Sequence, residues 1–173
     1  MGGKLRGLAC AAGLRDARQV APQLGFSAVR GLVQRVSEAS VSVDGVVVGK
    51  IGRGLCTLVG VRCDDDEKAA DRLAAKLWQL RLFPDGTGNM NRSAEDLGLP
   101  VLVVSQFTLY ADTTRGRRPS FTQAATPEVA RALVDRVVAQ LRAAGAEVAT
   151  GHFGATMDVS LVNQGPVTVL VET

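Results

Sequence analysis

VSVDGVVVGKIGRGLCTLVGV, residues 41–61, holds two turns and the most apolar strand of the chain. Val41 and Val43 alternate with polar neighbours, Val46, Val47 and Val48 resume a β-branched series, and Asp44-Gly45 between them is a strong two-residue hairpin signal. A second turn stands at Gly52-Arg53-Gly54. It leads into Leu55-Cys56-Thr57-Leu58-Val59-Gly60-Val61, an almost unbroken apolar run. A run of that kind suits a strand covered on both faces, so it predicts a central strand with layers above and below it.

Upstream, Leu32, Val33 and Val36 lead into the same series, and the character changes abruptly at Val29. Residues 1–28 are rich in Ala, Gly, Arg and Gln, with no strand alternation and only a weak helical pattern around Leu14–Val20. They read as a disordered extension, or as the product of a misassigned start, ahead of one domain at 29–173. Downstream, Asp64, Asp65 and Asp66 offer caps and favourable charge at a helix start. Ala70, Leu73, Ala74, Leu77 and Leu80 then recur at helical spacing, and the helix should end near Arg81, before Pro84-Asp85-Gly86. LPVLVVSQFTLY, residues 99–110, reads as a strand, and a polar loop follows it. Thr126 can cap a second helix with Pro127 in its first turn, Val129, Leu133, Val134, Val137 and Leu141 as its apolar stripe, and Gly145 at its end. DVSLVN and VTVLVE, separated by Gln164-Gly165-Pro166, are the last strands. This order predicts a mixed α/β domain with antiparallel pairing at both ends, not an alternating parallel fold.

Composition narrows the class. Of 173 residues, 46% are hydrophobic and 21% charged, the balance of a globular protein. Apolar runs such as Val101–Val104 fall well short of the roughly 20 residues that cross a bilayer. Arg15, Asp16 and Arg18 interrupt the apolar start before a signal-peptide core forms, so a cytoplasmic location is expected. A net charge of +3 tolerates a phosphate-rich partner without demanding one. Cys10, Cys56 and Cys63 are odd in number and lack CxxC spacing, which argues against a disulfide framework or zinc knuckle and for Cys56 as a buried apolar side chain.

The single histidine, His152, cannot make a histidine-rich metal site, and no HExxH, GxSxG or GxxxxGK[ST] pattern occurs. No metal and no cofactor is expected. His152 is a candidate general base, although a lone histidine beside a turn is more often structural. Two constellations remain, both where strands meet loops. In Ser105-Gln106-Phe107-Thr108, a strand would turn Ser105 and Phe107 to one side and Gln106 and Thr108 to the other. These residues either gather hydroxyl, amide and backbone donors at a strand end, or satisfy the backbone while Phe107 fills core. Asn163-Gln164-Gly165-Pro166-Val167-Thr168 reads as a turn, and the dipeptide alone gives no reason for a cis bond.

Taken together and in order, SQFTLYAD, TRGRRPSF and VNQGPVT resemble the paired signature of the D-aminoacyl-tRNA deacylases. VQRVSEASVSVDG is similar to the opening strands of that family, and the resemblance runs from Val29 to Glu172. It departs from the family pattern at residues 1–28, because members typically begin with Met-Arg where this chain has Val29-Arg30.

The resemblance implies a three-layer α/β/β fold with mixed, largely antiparallel sheets and two main helices. It implies a homodimer with its active site at the subunit interface and an aminoacyl-tRNA substrate. Gly165 and Pro166, joined by a cis bond, would enter the partner's site and direct their carbonyls at the amino acid's Cα, held there by Arg35. Ser105, Gln106, Phe107 and Thr108 would line the pocket for the 3′ end. Such a filter leaves room for hydrogen but not for an L side chain, so D-aminoacyl-tRNA and achiral glycyl-tRNA would both be hydrolysed. Thr108 is then either the nucleophile or a positioning group for a reaction assisted by the ribose 2′-OH, with backbone N–H groups near Gln106 and Phe107 as oxyanion donors. Arg115, Arg117 and Arg118 either meet tRNA phosphates or belong to a solvated loop.

Overall fold

The structure is a computed structural model and describes residues 29–114 and 116–173. The expectations for residues 1–28, for Cys10 and for Arg115 lie outside the described residues. Strand β1, Arg30–Val43, turns at Asp44 and Gly45, whose φ values of 50° and 78° are those of a tight hairpin, into β2, Val46–Ile51. Strand β3, Gly54–Gly60, follows the predicted second turn. Along one edge β1 pairs with β3 from Arg30 to Val36 and with β2 from Ala39 to Val43; along its other edge it pairs with the long last strand β8, Asp158–Glu172. One strand therefore carries the sheet from one layer into the next.

On the far side of β3 the pairing becomes parallel, first to β6, Val101–Ser105, and then to β7, Val148–Thr150. The sheet order is β2-β1-β3-β6-β7, with β8 on β1. Helices α1, Glu67–Gln79, and α3, Pro127–Ala143, cover one face, where Leu73, Leu77, Val137 and Leu141 meet Leu55, Val59, Val101 and Val103. The opposite face buries Cys56, Leu102 and Val104 against Val36, Ala39, Val41 and Ile51 of the β1–β2 half. This is the α/β/β layering that the apolar run at 55–61 required. Each fully buried Leu or Val on these faces contributes about 1.5–3 kcal/mol relative to exposure.

The minor elements are a ribbon of β4, Phe83–Pro84, with β5, Met90–Arg92, and the short helix α2, Ala94–Leu97. Helix α1 starts on Asp66, whose carboxylate accepts from Ala69 N at 2.8 Å, and ends at Gln79. Thr126 precedes α3 as expected but makes no side-chain cap bond. The stripe of α3 is corrected at one position: Val129 is exposed and Val138 is buried. At 100° per residue Val129 lies about 140° around the helix from Val134, beyond the core-facing arc, whereas Val138 lies about 40° away. No described helix is long and apolar enough to cross a membrane.

Candidate active site

Strand β6 is buried from Val101 to Val104 and in register with β3 until Val59 meets Ser105. Gln106 N then donates to Val59 O at 2.7 Å, and the chain leaves the sheet. Residues Phe107–Tyr110 form a 3₁₀ turn, closed by Leu109 N on Gln106 O at 3.2 Å and Ala111 N on Thr108 O at 3.1 Å. The expected continuation of the strand, with its two alternating faces, is thus replaced by a turn. Its anchor is Tyr110, buried at 3% exposure. Arg30 holds it from β1: its Nη1 donates to Leu109 O at 2.9 Å, its guanidinium lies 4.5 Å over the Tyr110 ring, and its Nε pairs with Glu172 at 2.7 Å. Gly60 leaves the space, since a Cβ there would stand 3.1 Å from Gln106 O and 3.0 Å from Leu109 Cβ. Burial raises the Tyr110 phenol far above its usual range, and the Asp65 carboxylate nearby adds to the effect, so the phenol stays protonated.

This turn forms one wall of a cleft of about 670 Å³, lined by Ser105, Gln106 and Phe107 together with Val59, Phe121 and Phe153. Phe107 does not fill core: it is 57% exposed and meets Phe121 edge to face at 5.1 Å between ring centroids. Thr108 is exposed, lies outside the cleft lining, and accepts a hydrogen bond from the Gln106 side-chain amide. That amide is a donor and cannot take the hydroxyl proton. The Gln106 N–H, expected among the oxyanion donors, is occupied by Val59 O. Arg117 and Arg118 are exposed on the loop after the turn, a segment tied back by Asp112 and Ser120, which exchange backbone bonds of 2.7 and 2.9 Å. His152 lines a neighbouring cavity and not this cleft. Among the described residues no group of three or more His, Cys, Asp or Glu side chains could hold a metal ion.

The second constellation interrupts the β1–β8 ladder. Gln34 faces Thr168 but Val36 faces Asn163, so Gln164–Val167 bulge outward opposite Arg35. The expected gap between two strands is thus a bulge within one long strand. The Gly165–Pro166 bond is cis, as the resemblance implied and the dipeptide could not. Gly165 has a φ of +141°, and a Cβ on it would meet Val167 Cγ2 at 2.7 Å and Arg35 Nη2 at 3.0 Å. Arg35 donates through Nε to Gln164 O at 2.9 Å and through Nη1 to Leu82 O at 2.5 Å. Asn163 closes the bulge from within: its Oδ1 accepts from Val167 N at 2.8 Å, and its Nδ2 donates to Val167 O at 3.2 Å and Thr168 Oγ1 at 3.0 Å. The resemblance pointed to Arg35, and neither it nor the residue pattern named Asn163 as the brace. The signal was present, since a short amide before a Gly-Pro turn commonly bonds its own backbone. Neither Gly165 nor Pro166 lines the cleft, so one chain does not bring the two constellations into one cavity.

Known proteins with this pattern are numerous. The family profile of D-Tyr-tRNA(Tyr) deacylase matches residues 32–172. Proteins named D-aminoacyl-tRNA deacylase from Thermomicrobium roseum and Streptomyces coelicolor are each 58% identical, over 84% and 83% of this chain and 94% and 99% of their own. The solved structure of a protein titled c-Myc DNA Unwinding Element Binding Protein is 37% identical, with a TM-score of 0.79 over 83% of this chain and 98% of its own. A second structure, titled as that of a probable eukaryotic D-amino acid tRNA deacylase, shares the fold at a TM-score of 0.74 and 20% identity, over 84% of this chain and all of its own. With the family profile spanning the cleft, the turn and the braced bulge alike, this chain belongs to the D-Tyr-tRNA(Tyr) deacylase family.

Proposed function

We propose that this protein hydrolyses the ester of D-aminoacyl-tRNA in the cytoplasm, releasing tRNA and the D-amino acid, and that it does the same to glycyl-tRNA(Ala). Membership of a family of aminoacyl-tRNA ester hydrolases gives the reaction class. The observation that carries the finer reading is the separation of two well-built parts. The cleft beside Ser105, Gln106 and Phe107 is lined without Gly165 or Pro166, while the bulge that holds those two residues is braced and exposed.

A homodimer that seats each bulge over the partner's cleft completes both sites. The carbonyls of Gly165 and Pro166 then stand against Cα, where they admit hydrogen and exclude an L side chain. Glycine, with hydrogen in both places, passes. In the chemical step water adds to the ester carbonyl, the tetrahedral oxyanion takes hydrogen bonds, and the bond from carbonyl carbon to ribose oxygen breaks as that oxygen takes up a proton. Phe107 and Thr108 open a helical turn, so their N–H groups have no acceptor within it and suit the oxyanion. The hydroxyl of Thr108 has only an amide donor beside it, which supports a positioning role, with the vicinal ribose hydroxyl assisting the water. Arg117 and Arg118 meet tRNA phosphates.

Hydrolysis of D-Tyr-tRNA, L-Tyr-tRNA and Gly-tRNA(Ala) tests this directly. The D and glycyl esters should be cleaved and the L ester spared by roughly 100-fold or more. Equal cleavage of the D and L esters would remove the chiral filter, and tRNA binding without release of amino acid would mark a noncatalytic nucleic-acid binder instead. Thr108→Ala should retain most activity, whereas a 2′-deoxy terminal adenosine should abolish it; the reverse pattern would make Thr108 the nucleophile.

A further inference from the structure

Beside the cleft lies a second cavity of about 450 Å³, into which α3 presents Arg131, Asp135 and Arg142 and the segment after β7 presents His152. The two cavities share Ser105, Val134 and Phe153, so they adjoin. The guanidinium of Arg131 lies 4.6 Å from the Phe153 ring centroid and gives Phe153 O one long hydrogen bond of 3.4 Å. Arg142 donates to Val148 O at 3.1 Å. A guanidinium has five N–H donors, so each retains most of its capacity. Arg136 on the same helix is different, because it is committed to Asp71 at 2.7 Å and Glu67 at 2.6 Å on the opposite side of α3. Among the described residues neither Arg131 nor Arg142 has an ion-pair partner within 4.0 Å. Two positive charges thus share the α3 wall of the cavity with one negative charge, Asp135, and His152 adds a further hydrogen-bonding group.

We propose that this cavity is a ribonucleotide subsite that binds the tRNA 3′ strand one step inward from the nucleotide held in the cleft. Arg131 and Arg142, about 16.5 Å apart along α3, each donate to the non-bridging oxygens of one of the two phosphodiesters that flank the nucleotide bound there. The Phe153 ring beneath Arg131 holds that guanidinium in place between the two cavities. Asp135 would repel a bare phosphate, but its carboxylate accepts from a ribose 2′-OH, the group that marks RNA. The subsite rests on the deacylase reading, since it supposes a tRNA end in the neighbouring cleft.

The test compares two esters, D-Tyr-tRNA and the D-tyrosyl ester of adenosine, which carries no phosphodiester. Wild-type cleavage of the adenosine ester reports the deacylase reading alone. For the full chain carrying Arg131→Gln and Arg142→Gln, KM for D-Tyr-tRNA should rise about tenfold while the adenosine ester loses less than about twofold. Uncharged tRNA should bind more weakly, with a salt slope shallower by about 1.4, the value for two single-strand phosphate contacts. Arg131→Lys with Arg142→Lys keeps both charges and should recover part of the affinity. Equal losses on both esters, or unchanged tRNA affinity and salt slope, would overturn the subsite and leave the deacylase reading standing.

Discussion

Arg35 shows how one side chain replaces a stretch of lost sheet. Over the bulge the β1–β8 ladder has no pairing for Arg35, whose planar group instead bonds Gln164 O of the bulge and ties it to Leu82 O ahead of β4. Lysine has no such fork, so Arg35→Lys and Arg35→Ala should both loosen the bulge. We expect each to lower deacylation of D-Tyr-tRNA by more than about tenfold while stability falls by only about 1–2 kcal/mol, the worth of the lost bonds. Parallel kinetics and urea unfolding check this, and a stability loss large enough to explain the kinetics would defeat it. Cys56 gives a prediction of another kind. Burial pushes its thiol from 9.0 up to about 11, so the unfolded chain ionises first. Its contribution to stability is complete below about pH 9 and is lost as pH rises toward 11. Alkylation at pH 8 followed by peptide mapping should leave Cys56 unlabelled in the native protein and label it after denaturation.

At the scale of elements, the two main helices begin differently. Asp66 makes a real cap bond to Ala69 N, whereas Thr126 makes none and α3 leans instead on Pro127 in its first turn. Asp66→Ala should therefore cost about 1 kcal/mol and Thr126→Ala a few tenths, as read from urea midpoints at constant m value. The sequence could say where both helices start but not which cap is made, because capping depends on a χ1 choice that no composition reveals. The same division holds elsewhere. Asp44-Gly45 and the run at 55–61 were legible because a turn type and burial on both faces each leave a local residue signature. The end of β6 was not. SQFTLY continues an apolar strand pattern, and what stops it is Arg30 and Gly60, residues 77 and 47 positions away from Phe107 that act only once the sheet is assembled. The cis geometry of Gly165-Pro166 was likewise legible only through resemblance, since its supports, Arg35 and Asn163, lie on either side of a ladder that exists only in three dimensions.

The whole molecule presents an unsolved closure: Val162 and Leu170 on β8 are each 51% exposed on either side of the bulge, and Phe107 at the cleft is 57% exposed. In the homodimer proposed above, these exposed apolar side chains would be covered by an isologous pairing, in which each subunit gives and receives the same elements. Such an arrangement has a consequence that no single-chain site shares. A chain damaged at the cleft, Gln106→Ala with Phe107→Ala, and a chain damaged at the bulge, Gly165→Val, should each be inactive as homodimers. After mixing and exchange, a mixed dimer joins the intact cleft of the second chain to the intact bulge of the first, while both lesions fall together in its other site. Random exchange would restore about a quarter of wild-type sites. Recovered D-Tyr-tRNA deacylation near that level, appearing at the rate of subunit exchange, is the expected result. A mixture that stays inactive although exchange is demonstrated by mass would place the filter and the cleft within one chain, and the exposed face of β8 would then need another partner.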